Sequence, residues 1–146
     1  MKIGIMGGTF NPIHNAHLLI AEMAREEYGL DRVIFITDGN PPHKSANVTA
    51  KQRFEMTHIA IADNSAFEED DFEINRSEKS YTVNTLGYLK EKYPNNDLFF
   101  IIGEDSLNDF NKWYKPDKIL EMCSLLVFPR KSLKSLTETI KAVKEK

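Results

Sequence analysis

Two glycines and two histidines stand close together near the amino terminus, in the segment Gly-Gly-Thr-Phe-Asn-Pro-Ile-His-Asn-Ala-His at residues 7–17. Gly7 and Gly8 have no side chains, so the backbone there can approach a ligand closely. A helix that begins just after them would direct unpaired amides and a partial positive charge at an anion. His14 and His17 are three residues apart, so both imidazoles can donate to one phosphate. The segment predicts a nucleotide-phosphate site.

Two alternatives compete with a phosphate site in this segment. The simpler one is a glycine turn followed by surface histidines. The second is a zinc site, but the pattern differs from His-Glu-x-x-His and the sequence offers no clear third ligand. Zinc binding is therefore disfavoured.

Apolar runs of strand length recur along the chain. They lie at residues 3–6, 33–37, 98–102 and 125–128. Runs that polar residues do not interrupt are typical of strands buried on both faces of a parallel sheet. A weaker strand is expected at 72–75.

Helical patterns separate these runs at residues 16–28, 50–62 and 83–93, and a capping box stands at 49–52. A last helix is expected from Ser135 onward. The alternation predicts an α/β fold, a Rossmann-like parallel sheet with helices on both faces. Ligands of such sheets bind in the crevice at the carboxyl ends of the strands, where the segment at 7–17 would lie.

Size and composition limit the classes of protein to consider. The 146 residues predict one domain, spanning 1–146, and the net charge of -3 argues against a nucleic-acid partner. No apolar stretch reaches membrane-spanning length, and the single cysteine, Cys123, is expected to be a buried thiol in a cytoplasmic protein. The acidic cluster at 68–71 is expected to be a solvated loop, with cation binding as an alternative. The sequence leaves open whether the chain forms a homo-oligomer.

The segment at 7–17 resembles the characteristic loop of the HxGH nucleotidyltransferases, with Ala16 where many members have glycine. Further segments are similar, in order, to those of bacterial nicotinate-nucleotide adenylyltransferases. They are Pro-Pro-His-Lys at 41–44, residues 53–56, Ser-Tyr-Thr-Val-Asn-Thr-Leu at 80–86, Gly-Glu-Asp-Ser at 103–106 with Trp113, and Pro-Arg at 129–130. The resemblance implies the nucleotidyltransferase fold and transfer of AMP from ATP to nicotinate mononucleotide, which gives deamido-NAD and pyrophosphate. Mg²⁺ is expected on the ATP phosphates, without protein ligands.

The resemblance also implies roles for individual residues. His14 and His17 would be catalytic. The implied ATP contacts are Gly7, Gly8, Thr9, Phe10, His14, His17, Gly103 and Asp105. The implied contacts of nicotinate mononucleotide are Lys44, Thr82, Trp113, Tyr114 and Arg130.

Each of these positions also has a purely structural interpretation. Thr82 would suit the N-cap of the helix at 83–93, and Asp105 could cap a helix after the strand at 98–102. Trp113 and Tyr114 could pack in the core. Lys44 could belong to a rigid turn, and Arg130 could be an exposed arginine.

Two other functions stay open. One is a sibling enzyme with the same first loop, such as pantetheine-phosphate adenylyltransferase or a cytidylyltransferase, and the other is a nucleotide-sensing module without turnover. Tyr81-Thr82 and Trp113-Tyr114 favour nicotinate. Family members also carry a later Ile-Ser-x-Thr-x-Ile-Arg-like segment that nothing in this chain matches. The resemblance therefore implies a carboxyl-terminal truncation, and we expect the 146-residue chain to fold but to bind ATP weakly and turn over poorly.

Overall fold

Five parallel strands form one sheet in the computed structural model, which describes residues 1–8, 15–37, 50–74 and 81–128. The strands are β1 (Lys2–Gly8), β2 (Arg32–Thr37), β3 (Phe67–Asp70), β4 (Asp97–Gly103) and β5 (Ser124–Phe128). The helices are α1 (Asn15–Tyr28), α2 (Ala50–Ile61), α3 (Thr82–Lys92), α4 (Glu104–Asn108) and α5 (Pro116–Met122), with a 3-10 turn at Phe110–Lys112. The strand order is β3-β2-β1-β4-β5, and every neighbouring pair is parallel.

Helices cover both faces of the sheet because alternate strand residues point to opposite sides. On one face, Val33 and Phe35 of β2 pack with Ala21 and Ala24 of α1. On the other face, the intervening β2 residues pack with Leu86 and Leu89 of α3 and with Ile119 of α5. This arrangement confirms the Rossmann-like α/β fold that the sequence predicts.

Four of the five strands and the first three helices lie where the sequence places them, within one or two residues at each end. Gly29 ends α1 with a φ of 66°, and the amide of Leu30 donates to the carbonyl of Arg25 at 2.9 Å. That pair of features is the usual glycine-based helix ending. The capping box at 49–52 and the helix from Ser135 fall wholly or partly outside the described residues.

The weak strand predicted at 72–75 is wrong, because the observed strand is β3, at Phe67–Asp70. It pairs with β2 along its whole length, from Val33 opposite Phe67 to Ile36 opposite Asp70. It ends in a turn in which the amide of Phe72 donates to Asp70 Oδ1 at 2.9 Å. A short edge strand rich in charge is common in natural sheets, since charge discourages pairing with another chain.

The solvated loop predicted at 68–71 is wrong for the same reason, since three of its four acidic residues lie in β3. Glu68 pairs with Arg32, and Glu69 pairs with His58 of α2. Asp70 is buried and accepts hydrogen bonds from α3. Partners from distant parts of the chain allow these carboxylates to sit in a strand.

Two smaller expectations also change. Thr82 is the first residue of α3 rather than its N-cap; Tyr81 occupies the N-cap position, without a capping side-chain hydrogen bond. Cys123 is half-buried, and its thiol donates to the carbonyl of Ile119 at 3.4 Å. Burial raises the pKa of this thiol to about 11. In the described segments no helix has the length and apolar character needed to cross a membrane.

Gly4 at the centre of β1 leaves room for buried side chains of the core on this face of the sheet. A Cβ added there would lie 2.8 Å from Leu30 Cδ1 and 3.4 Å from both Ile101 Cδ1 and Val33 Cγ2, all of them buried. We therefore expect Gly4→Ala to lower the free energy of unfolding by ~1 to 3 kcal/mol, because the buried Leu30 side chain has to shift within a packed core. Urea denaturation followed by circular dichroism measures this change.

Gly87 of α3 provides the matched control. A Cβ added there would meet nothing within 4 Å. Since alanine favours a helix over glycine, Gly87→Ala should raise the free energy of unfolding by ~0.5 to 1 kcal/mol. Equal destabilisation by both alanine substitutions would contradict the packing described here.

Candidate active site

A pocket lies at the carboxyl ends of β1 and β4, where the strand order reverses. The chain passes from β1 outward through β2 to β3 and then returns to β4 on the other side of β1. Such a reversal leaves a crevice, since the connections on its two sides run over opposite faces of the sheet. The pocket has a volume of about 500 Å³, within the range of small-molecule sites.

The end of β1 and the start of α1 form one wall of this pocket. Gly7 lies near the end of β1, and His17 lies in the first turn of α1; both line the pocket. A Cβ added to Gly7 would meet the Phe100 ring at an ordinary 3.7 Å, so packing within the protein does not require glycine here. Glycine at this position keeps the backbone open to a ligand.

The start of α3 forms a second wall, with Thr82, Thr85 and Leu86 facing the pocket. The amides of the first turn of a helix have no acceptor inside the helix, so they favour an anion. The Thr85 hydroxyl donates to the Glu73 carboxylate at 2.6 Å, and Glu73 also lines the pocket. The polar groups on this side therefore belong to α3 and to the segment that follows β3.

Trp113 connects the pocket to the core. Its ring meets Phe110 at a centroid distance of 5.0 Å and lies edge-on to Phe100 at 6.1 Å. The residue packs against the core below α3 and α5 and also lines the pocket. The structural and the ligand-binding interpretations of Trp113 are therefore compatible.

Tyr114 lies outside the described lining of the pocket and is half-exposed. Its ring packs on Tyr81, just before α3, with the centroids 4.6 Å apart. Lys115 follows with a left-handed φ of 51° and its ammonium over the Tyr114 ring. This contact joins the segment after the 3-10 turn to the start of α3.

The structure brings five of the sequence-predicted site residues to one pocket: Gly7, His17, Thr82, Gly103 and Trp113. Gly8 ends β1 next to Thr37. The positions that lie outside the described residues are Thr9, Phe10, His14, Lys44 and Arg130. Asp105 lies in α4, but its side chain is not described.

Three polar residues line the pocket without a sequence-predicted role: Glu73, Thr85 and Ser106. Thr85 and Ser106 belong to the motifs at 80–86 and 103–106, so the sequence offered a way to include them among the site residues. Glu73 falls in the segment 72–75, where the sequence predicts a strand, and only the observed end of β3 shows that Glu73 follows the carboxyl end of that strand. Among the described lining residues, Glu73 is the one acidic side chain.

Comparisons with known proteins agree with this geometry. The sequence model of the cytidylyltransferase-like family matches residues 5–145. A protein of Citrifermentans bemidjiense named "probable nicotinate-nucleotide adenylyltransferase" is 47% identical over 96% of this chain and 67% of its own length. One of the same name from Pelobacter propionicus is 51% identical over 89% of this chain and 61% of its own length. The chain thus spans about two thirds of the length of these relatives.

A solved structure has the same fold. The nicotinic acid mononucleotide adenylyltransferase of Plasmodium falciparum, complexed with NaAD, has a TM-score of 0.78 and 24% sequence identity. The match covers 94% of this chain and 70% of that one. Family model, curated relatives and fold confirm the resemblance that the motifs indicate, and the chain belongs to the cytidylyltransferase-like family, as a relative of its nicotinate-nucleotide adenylyltransferases.

Proposed function

We propose that this chain transfers AMP from ATP to nicotinate mononucleotide, giving deamido-NAD and pyrophosphate. The observation that carries the proposal is that two kinds of binding surface line one pocket. Gly7 and His17 are suited to bind phosphate. Thr82 and Trp113 are suited to bind an aromatic ring that carries a carboxylate. The names of the curated relatives support the same activity.

The chemistry requires no nucleophile from the protein. A phosphate oxygen of the mononucleotide attacks the α-phosphorus of ATP, a new P–O bond forms, and the bond to the β-phosphate breaks to release pyrophosphate. The second pKa of a phosphomonoester is about 6, so the attacking group is already ionised at neutral pH. The protein therefore acts by holding two polyanions in line and by stabilising the charge that develops on the phosphates.

On the ATP side, we assign the charge-stabilising role to His17, which can donate from the first turn of α1. His14, Lys44 and Arg130 join it as proposals from the sequence, with Thr9 and Phe10 near the phosphates and Asp105 at the ribose. Mg²⁺ fits this pocket as an ion held by phosphate and water oxygens, because such an ion needs no cage of protein carboxylates. When bound, it would neutralise part of the phosphate charge.

On the other side, we assign the nicotinate carboxylate to the first amides of α3, at Thr82, and the pyridine ring to the face of Trp113. A helix start favours a carboxylate because its amides donate hydrogen bonds and its dipole is positive there. Tyr114 would contribute to nicotinate binding indirectly, because its ring packs on Tyr81, just before α3. A cytoplasmic location is part of the proposal and agrees with the single, half-buried cysteine.

Pyrophosphate release from ATP tests the proposed function directly. The assay is run in parallel with nicotinate mononucleotide and with phosphopantetheine as the acceptor. A further reaction replaces ATP with CTP, the donor that a cytidylyltransferase would use. Release that depends on nicotinate mononucleotide supports the proposal. Release with another acceptor alone would make the chain a sibling enzyme, and ATP binding without release would make it a sensing module.

His17→Ala should lower turnover far more than it weakens substrate binding, because the contact strengthens as charge moves onto the phosphates. Removing one such donor usually raises the barrier by ~2.7 to 4 kcal/mol, a loss of roughly a hundredfold or more in rate. The chain has one tryptophan, Trp113, and it lines the pocket, so its fluorescence can report binding separately from turnover. Turnover within threefold of the wild-type rate would remove His17 from the mechanism.

Nicotinate mononucleotide should be preferred over its carboxamide analogue by about ten- to a hundredfold in kcat/KM, at about 1.4 kcal/mol per decade. The carboxamide brings an NH₂ donor to a site made of backbone donors and leaves one of them unpaired, at ~1 to 3 kcal/mol. Steady-state rates with both nucleotides at saturating ATP measure the ratio. Equal kcat/KM for the two would refute the placement of the carboxylate at α3.

A further inference from the structure

We propose that Glu73 is a positioning residue that fixes the first turn of α3 at the wall of the pocket. By holding Thr85, it sets the place of Thr82, which lies one turn earlier on the same helix. The identity of the ligand at Thr82 rests on the proposed function, whereas the positioning itself is a property of the fold.

The contact between Glu73 and Thr85 is short and sheltered. The Thr85 hydroxyl donates to Glu73 Oε2 at 2.6 Å, and only 4% of Thr85 is exposed. The Thr85 amide donates in turn to the carbonyl of Tyr81 at 3.2 Å, just before the helix. Thr82 lies between Tyr81 and Thr85, so a movement of Thr85 is transmitted to the amides that face the pocket.

Neighbouring contacts hold the rest of α3 but do not reach the pocket. Asp70 accepts hydrogen bonds from the Tyr88 hydroxyl at 3.1 Å and from the Lys92 ammonium at 2.9 Å, and the Phe72 ring stacks on Tyr88 at 4.3 Å. Thr85, Tyr88 and Lys92 are spaced by three and four residues, so they share one face of the helix. The segment at 70–73 therefore holds α3 at three successive turns, and Glu73 holds the turn nearest the ligand.

Glu73 is an acidic side chain at a pocket proposed for anions, and its hydrogen bond to Thr85 accounts for its presence there. It is the one acidic side chain among the described lining residues, and the proposed substrates are anions. A strong acceptor for the buried Thr85 hydroxyl gives a physical reason for its presence, because charged acceptors make shorter and stronger hydrogen bonds.

The test compares variants that remove the acceptor or the donor with variants that retain it. Glu73→Ala and Thr85→Ala should raise KM for nicotinate mononucleotide about tenfold, corresponding to ~1.4 kcal/mol, and leave KM for ATP unchanged. Glu73→Gln and Thr85→Ser keep an acceptor and a donor, and should stay near the wild-type KM. The double alanine variant should match either single variant, because both remove the same contact.

Tyr88→Phe is the matched control. It removes the hydrogen bond to Asp70 one turn further along α3 and keeps the ring stack on Phe72. It should lower stability while leaving KM for nicotinate mononucleotide unchanged. Hydrogen exchange gives a readout without activity at the amides of Asn84 and Thr85, which donate to the Tyr81 carbonyl at 3.0 and 3.2 Å. Their exchange should accelerate in Glu73→Ala and keep its wild-type rate in Tyr88→Phe.

Three results would overturn the proposal. They are wild-type exchange at the amides of Asn84 and Thr85 in Glu73→Ala, an equal rise in KM in Tyr88→Phe, and a Glu73→Gln variant as impaired as Glu73→Ala. The last result would assign the effect to the charge rather than to the hydrogen bond. If the wild-type chain transfers no AMP to nicotinate mononucleotide, the proposed function fails, and the exchange measurement alone then decides whether Glu73 positions α3.

Discussion

The parallel pairing of β1 with β2 on one side and β4 on the other is the constraint on which the rest of this structure depends. The chain leaves β1 through α1 over one face of the sheet and comes back to β4 through α3 over the opposite face. Within the described ranges, α1 and α3 therefore leave a pocket between them at the carboxyl ends of β1 and β4. A pocket follows from the topology, and the side chains at those strand ends decide what it binds.

Buried charge on the edge of the sheet sets the position of α3. Only 4% of the Asp70 side chain is exposed, and its hydrogen bond raises the pKa of the Lys92 ammonium. Burial, and then the contact with Asp70, raises the pKa of the Tyr88 hydroxyl. Removing the Lys92 ammonium would leave the buried Asp70 carboxylate without its opposite charge. Breaking a buried pair in this way usually lowers stability more than replacing both partners with apolar residues does. This edge strand therefore acts as an anchor for the helix that carries Thr82.

The sequence predicts the elements whose signal is local. Strands β1, β2, β4 and β5 are continuous apolar runs, so they could be located without a structure, and Gly29 likewise marks the end of α1. The edge strand β3 could not, because its acidic residues look like a loop until their partners are known. Those partners, Arg32, His58 and Lys92, come from three other elements, and no local pattern indicates the pairing.

The same limit applies to the site. Gly7, His17, Thr82, Gly103 and Trp113 stand in recognisable motifs, and the fold brings them to one pocket. Glu73 stands outside those motifs, and its place at the pocket follows from the turn that ends β3. The double placement of Trp113, against the core and at the pocket, likewise depends on packing that only the folded chain defines.

The most direct test of this account is a crystal structure of the chain with deamido-NAD, since the product occupies both halves of the pocket at once. The account places the nicotinate ring on Trp113 with its carboxylate at the first amides of α3, and it places the phosphates beside Gly7 and His17. A dinucleotide bound elsewhere, or one whose nicotinate ring lies away from Trp113 and Thr82, would contradict it.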